Sequence, residues 1–595
     1  MNRTILNTVL AVGFLALALA IGVARRSPPS GYEPSIYTAT PTLTWLGVGL
    51  ALAIAIGLTI GTRGPYQVGA MALGGLTVTT VVSIPVIRNY HFQGMGDALT
   101  HLGWVRDFTQ GTMTPHELFY PGLHSIATTV HIAGGISMER AVIMSVILLF
   151  VPFVVFVPLI ARAITGTAGA AGFAAIVSWM VLPVNNVATH MGPHTNSNAL
   201  FLVPVALFAL VAYLGRRGGL ERLPFGISPF TFLLIFVGAG ILLVHPQQMV
   251  NVVVVFAALA GVQMLASLRS ANHPISTHPR MHTPAALLGV LFVLWAAANE
   301  RFRRAFSGLV YGLFVQDIGT GSEVGQRGGS LTEIGGSLVE LFVLMFLVAA
   351  IIGTIAALFV LSNWLGRTQL DSDARAYITY LALATVPLFA MFIVYFFGTP
   401  TMAFRQVGFI YVLLTILGGI ALAHLFGWLS GFLTTPGSNA LAAIFVSACL
   451  VLTLMTLFAS PTIYQPTQHV TEQQQFGYDT ALETRADERL FAGFGYGISR
   501  YGDAYHGTEA GTEINYDGGA GGQVLVEEFE AGNYSGAYHG TDYYFTVSAY
   551  DETRELEVYQ ELHHSREALE SIEQDPGVNR LVSNNEFRMY EVEGE

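Results

Sequence analysis

Apolar stretches of about 20 residues recur along the chain, near 5–23, 45–61, 66–86, 139–162, 168–184, 197–214, 228–244, 249–267, 284–299, 336–361, 376–397, 407–429 and 440–460. A run of that length crosses a bilayer as a helix, because hydrocarbon offers no water to satisfy free backbone groups. The expected fold is therefore a polytopic α-helical membrane protein of about 13 spans, with its termini on opposite sides. A mean hydropathy of +0.54, with 11% charged residues, excludes an ordinary soluble core.

Charge divides the chain in two. From Pro461 onward lie 26 of the 39 acids but only 7 of the 27 basic residues, all of which are Arg because the chain has no lysine. Residues 1–460 read as the multi-span domain and residues 461–595 as a small acidic α+β domain. A hydrated, acidic, lysine-free surface stays soluble in concentrated salt, where charge repulsion is screened, and this points to a halophilic source. Short Arg-bearing loops favour the cytoplasm. With the N-terminus inside, "TRGPYQ", "GRRGGLER", "LRSANHPISTHPR" and "GRTQLDSDAR" are cytoplasmic and the acidic tail is extracellular. Arg25, Arg26 and "RFRR" at 301–304 fall on the outer side against that trend. "NYS" at Asn533 is a glycosylation sequon, reachable only if the tail is outside. The single cysteine, Cys449, lies in an apolar run, so no disulfide within the chain can form.

This topology makes residues 88–137 a long first outer loop. "GMGDALTHLGWVRDF" reads as a helix lying on the membrane: Ala98, Leu102 and Val105 form its apolar stripe, and Asp97 and His101 share the neighbouring stripe one turn apart. A carboxylate there can act as a general base or hold a divalent cation, and the histidine can orient it or share the metal. Gly96-Asp97 also reads as the cap of a helix. Asp107 and Arg106 read as a solvated pair. "TPHELFYPGLH" reads as a capping box opening a helix, Thr114 with Glu117, which leaves Tyr120 and His124 as the better binding candidates. "PGLHSIATTVHIAGG" reads as an interfacial helix ending at a glycine pair.

Further outer segments carry neutral hydrogen-bonding groups suited to a polyhydroxylated ligand: His190 and His194 in "HMGPHTNSN", and His245, Gln247 and Gln248 in "HPQQ". Thr195 to Ser197 also read as the cap of the next span. Arg405, at the outer mouth of a span, is costly unless paired, and a phosphate suits its planar fork. Arg301, Arg303 and Arg304 form a second cluster that suits either phosphate or anionic lipid head groups. No nucleotide-binding loop, dinucleotide fingerprint or HExxH helix is present, and nothing points to nucleic acid.

The multi-span chain, the acid in the first outer loop and the exterior C-terminal domain resemble the GT-C superfamily of membrane glycosyltransferases. "GYEPSIYTATPTLTW" and "NRLVSNNEFRMYEV" resemble uncharacterised haloarchaeal members of that group. The resemblance implies transfer of a sugar from a polyprenyl (dolichyl) phosphate donor to a glycan, lipid or protein acceptor at the outer face. Asp97 would be the carboxylate of the loop that deprotonates the acceptor hydroxyl or helps bind a metal, and Arg405 would hold the phosphate. A Mg or Mn ion is left open, because the paired acids of several members are absent: Asp97 and Asp107 stand ten residues apart. Rival readings are a membrane transporter, an oligosaccharyltransferase or ligase moving a whole glycan, and a non-catalytic surface protein.

Overall fold

The computed structural model describes residues 2–215, 228–270, 273–314, 332–334, 336–398, 400–486, 488–495, 497–513, 516 and 522–594. Of the expected cytoplasmic loops, "GRRGGLER" lies outside these residues from Arg216 onward. So does most of the Gly-rich stretch before Ser337.

Helices coincide with all of the expected apolar stretches. Among the described residues, nine are long and apolar enough to cross a membrane, and ten if the bent pair His282–Ala298 and Glu300–Tyr311 counts as one. The figure of about 13 is not confirmed: Ala168–Trp179 and Pro229–Val244 are short apolar helices, the bent pair turns by 96°, and the helix Pro65–Val82 is not among the nine. Polar caps start several of these helices: Ser137 accepts from Arg140 N, Thr167 from Ala170 N and Thr434 from Gly437 N. Their buried faces form one large apolar core that includes Phe150, Trp179, Phe256 and Phe409. Large apolar side chains such as Leu19, Phe236 and Leu294 remain exposed on the outside of the bundle, as a lipid-facing surface requires.

Residues after Pro461 form the expected α+β unit. Four strands, β3 (Leu490–Gly493), β4 (Tyr543–Ser548), β5 (Val578–Asn584) and β6 (Phe587–Val592), lie in the order β3-β4-β6-β5. The β3–β4 pair is parallel and the others antiparallel. Every residue of β4 is buried, as expected for the central strand of a sheet covered on both faces.

The tail is fastened to the first loop. Strand β1 (Phe92–Gln93) pairs with β2 (His469–Val470), with Phe92 opposite Val470. The expected loop helix runs Asp97–Gln110, but its apolar stripe does not lie on lipid. Ala98, Leu102 and Val105 share a core with Tyr478, Tyr501 and Phe587 of the tail and with Val142 and Ile143 of the helix Met138–Thr165. The tail supplies an apolar partner that sequence periodicity cannot anticipate. Gly103 lets the chains approach, since a Cβ there would run into the carbonyl of Asp503.

Candidate functional site at the outer loop

Asp97 is the first residue of its helix, placed there by Gly96, whose φ of 58° and ψ of −121° suit glycine alone. The Asp97 side chain is 59% exposed, and Arg500 of the tail holds it through an Nη2–Oδ1 contact of 2.9 Å. Asp97 lines a cavity of about 280 Å³ together with His190, His194, Arg405, Gly94, Pro193 and Gln468. Arg405 belongs to the helix Pro400–Leu429, and His194 stands just before the helix Thr195–Leu200. The cavity thus sits at the ends of apolar helices and gathers four residues that the sequence marks on three separate stretches.

Arg405 is half-buried, and among the described residues its guanidinium has one hydrogen-bond contact, to the Met402 sulfur at 3.6 Å. A sulfur is a weak acceptor, so most of the fork is left to whatever enters the cavity. The histidines opposite are neutral. Burial, with the Arg405 charge adding to it, lowers His190 to about 4, and burial with the same charge and His190 itself holds His194 well below 6.5. Ser197 fixes their geometry: its hydroxyl accepts from His190 N at 2.9 Å and bonds to His194 Nδ1 at 2.7 Å. That is the use of the segment expected as a cap, since the helix is preceded by His194 and has no side-chain cap.

Beside this cavity lies a buried aromatic and imidazole cluster. His101 Nδ1 and His124 Nε2 share a hydrogen bond of 3.0 Å, and both rings are almost fully buried. Burial lowers His101 to about 4. Although one turn from Asp97, His101 faces inward against Trp104 and Tyr120 instead of lining the cavity. Tyr120 bridges this cluster to His245, its ring 5.6 Å away. His245 accepts from Gln247 N and so caps the helix Pro246–Arg269. Gln248 Nε2 donates to Asn196 Oδ1 at 2.6 Å, and Asn251 Nδ2 donates to Gln248 Oε1 at 3.0 Å. The amide of Gln247, Asn196 Nδ2 and Asn251 Oδ1 are buried without partners among the described residues. Unmet buried polar atoms each cost about 1–3 kcal/mol, and a polar ligand or water would satisfy them.

Three loop residues are placed otherwise than the sequence suggests. Asp107 is no solvated ion: it is 1% exposed and accepts from Thr508 N at 2.8 Å and Thr508 Oγ1 at 2.6 Å. Arg106 donates to Ala504 O at 2.7 Å instead of pairing with Asp107. Glu117 does fold back, accepting from Thr114 N and Oγ1, but no helix follows. Pro121 comes too soon after Thr114 for one to form, and the next helix, Gly122–Gly134, starts beyond it. Arg301 and Arg304 line a second, wider cleft of about 1160 Å³ with Trp104, Phe119 and Trp295. Sequence reasoning missed Arg500 and Asn196. A lone arginine in an acidic tail carries no local sign of its partner.

A divalent cation does not fit these donors. Among the described residues no three His, Cys, Asp or Glu side chains converge, and Asp97 is the one acid lining the cavity and is already paired with Arg500.

Fold and site together define a multi-pass helical membrane protein with a polar cavity at the ends of its helices and a C-terminal α+β domain docked beside it. The chain belongs to the family of unknown function DUF6541, which matches residues 3–492. Among curated proteins none matches the sequence. Among solved structures the chain is similar to ArnT from Cupriavidus metallidurans bound to undecaprenyl phosphate, at 11% identity and a TM-score of 0.49, covering 89% of this chain and 98% of that one. It is also similar to the oligosaccharyltransferase of Archaeoglobus fulgidus in the apo form, at 12% identity and a TM-score of 0.48, covering 84% and 72%. The oligosaccharyltransferase AglB of the same organism, in complex with an inhibitory peptide and a dolichol-phosphate, gives 13% identity and a TM-score of 0.42; the chain spans 59% of its length.

Proposed function

We propose that the protein is a membrane glycosyltransferase that moves a hexosyl unit from a polyprenyl-phosphate donor to a hydroxyl of a glycan, lipid or protein acceptor on the outer face of the membrane. One observation carries the reading: a guanidinium with no carboxylate partner among the described residues, Arg405, lines the same cavity as an exposed carboxylate, Asp97, at the ends of apolar helices. The first group suits a phosphate whose lipid tail stays in the bilayer, and the second suits a hydroxyl that must lose a proton. Neutral His190 and His194 between them offer hydrogen bonds to sugar hydroxyls without competing for the phosphate.

In this mechanism the acceptor oxygen attacks the anomeric carbon while the bond from that carbon to the phosphate oxygen breaks. The acceptor proton passes to Asp97, and the electron pair of the broken bond leaves on the polyprenyl phosphate, whose growing charge Arg405 stabilises. Arg500 holds the Asp97 carboxylate in place from the tail. Base catalysis of this kind contributes roughly 10²–10⁴-fold. The test is transfer of radiolabelled hexose from a panel of polyprenyl-phosphate sugars in high-salt membranes, comparing wild type with Asp97→Asn at equal insertion. Loss of at least about a hundredfold supports the reading, and an unchanged rate removes Asp97 from the chemistry. An oligosaccharyl transfer uses the same groups, and a panel that includes an oligosaccharide donor separates the two.

A further inference from the structure

The C-terminal domain holds a cavity of its own, of about 450 Å³, lined by Phe494, Arg554, Glu555, Tyr559, His563 and His564 among others. An unusual local backbone builds it. Residues Thr553–Val558 form a single π-helical turn, in which Tyr559 N donates to Arg554 O at 2.8 Å. Gln560 and Glu561 follow with φ of 51° and 62°, a region that residues other than glycine seldom adopt. Turns of this kind recur at functional sites because they re-aim side chains at a cost in backbone strain. Here they bring Glu555, Tyr559, His563 and His564 to one cavity.

Two polar groups in this cavity are buried and unspent. Glu555 is 2% exposed, and its Oε2 makes no hydrogen bond among the described residues; His563 Nδ1, at 3.4 Å, is an ion-pair neighbour only when protonated. His564 is 3% exposed, stacked on Phe494 with ring centroids 4.1 Å apart, and its Nδ1 lacks a hydrogen-bond partner among the described residues; Glu530 Oε1, at 3.8 Å, is an ion-pair neighbour only when the ring is protonated. The other Glu555 oxygen accepts from Arg554 Nε at 2.8 Å, and Arg554 Nη2 donates to Phe494 O at 2.8 Å. The guanidinium is therefore committed: Glu555 holds it at 2.8 Å and Asp551 Oδ1 faces it at 3.9 Å, so two carboxylates meet its one charge. With two carboxylates set against one guanidinium, such a lining repels an anion. It suits a neutral ligand rich in hydroxyls, which can donate to Glu555 Oε2, exchange a hydrogen bond with His564 Nδ1 and lay an apolar face on the rings of Tyr559 and His563.

We propose that this cavity is a carbohydrate-binding site for a neutral hexose unit of a glycan. It shares no lining residue with the Asp97 cavity and stands independently of the transferase reading. Full-length protein in detergent, titrated with maltotriose and with α-mannotriose up to 10 mM, is the test, with binding read by saturation-transfer NMR and calorimetry. Binding of at least one trisaccharide is expected. It is expected to weaken at least tenfold in Glu555→Gln and in His563→Ala. His563 is 43% exposed, so its replacement leaves folding undisturbed even if the buried Glu555→Gln variant misfolds. Absence of binding by both trisaccharides, or binding that His563→Ala and Tyr559→Ala leave unchanged, would overturn the proposal. Equal competition by inorganic phosphate would do so too, since a guanidinium already paired with two carboxylates should not hold it.

Discussion

Arg405 is the residue on which donor recognition rests in this account. Loss of a hydrogen-bonded charge costs about 1.5–3 kcal/mol, so Arg405→Ala is expected to raise the KM for polyprenyl-phosphate donor roughly 10- to 100-fold. Arg405→Lys should recover only part of it, because an ammonium keeps the charge and loses the planar fork. Donor saturation curves check this, and an unchanged KM would remove Arg405 from the phosphate site. A second expectation concerns pH. His101 and His190 are held near 4, so between pH 6.5 and about 4 the unfolded chain takes up protons that the folded chain refuses. Stability is then full above pH 6.5 and falls as the pH drops through that window. Thermal unfolding in detergent should show a lower Tm at pH 5 than at pH 7.5, with a shallower slope in His190→Gln; equal slopes would contradict the burial argument. Asp97, His190, His194 and Arg405 were legible in the sequence as single polar residues beside apolar runs. Their grouping was not, because it depends on how distant helices pack. Arg500 was not legible at all, since its role exists only in contact with Asp97.

Among the elements, the loop helix Asp97–Gln110 couples the cavity to the tail. Asp107 is its buried anchor, and Asp107→Ala strips two hydrogen bonds from Thr508, a loss of about 2–3 kcal/mol that should appear as a lower Tm and faster proteolysis of the tail. Gly103→Leu should separate the same surfaces by steric conflict with Asp503. Either variant should also slow transfer, because Arg500 reaches Asp97 only when the tail is docked; tail proteolysis at the wild-type rate would refute the coupling. Periodicity placed this helix and its stripe correctly, since Ala98, Leu102 and Val105 are all buried. It could not tell lipid from a protein partner, because both reward the same apolar face. The Thr114 capping pattern misled for a related reason: the local hydrogen bonds form, yet Pro121 denies them a helix to cap.

At the scale of the whole molecule, long apolar runs made the membrane bundle legible, and the acidic composition of the tail set it apart from that bundle. The short and bent helices were each counted as spans from the sequence, because hydropathy does not reveal where a helix ends early or bends at a right angle. The Arg-bearing loops predict an extracellular tail. In a Cys449→Ala background, Leu581→Cys places a thiol on an exposed strand position, which a membrane-impermeant maleimide should label in intact cells. Labelling only after lysis would invert the topology.

The most direct measurement remains sugar transfer in high-salt membranes by wild type and Asp97→Asn, inserted at equal level. The account predicts that wild type moves label from a polyprenyl-phosphate sugar to an acceptor and that the variant loses at least about a hundredfold. Transfer by Asp97→Asn at the wild-type rate would contradict it.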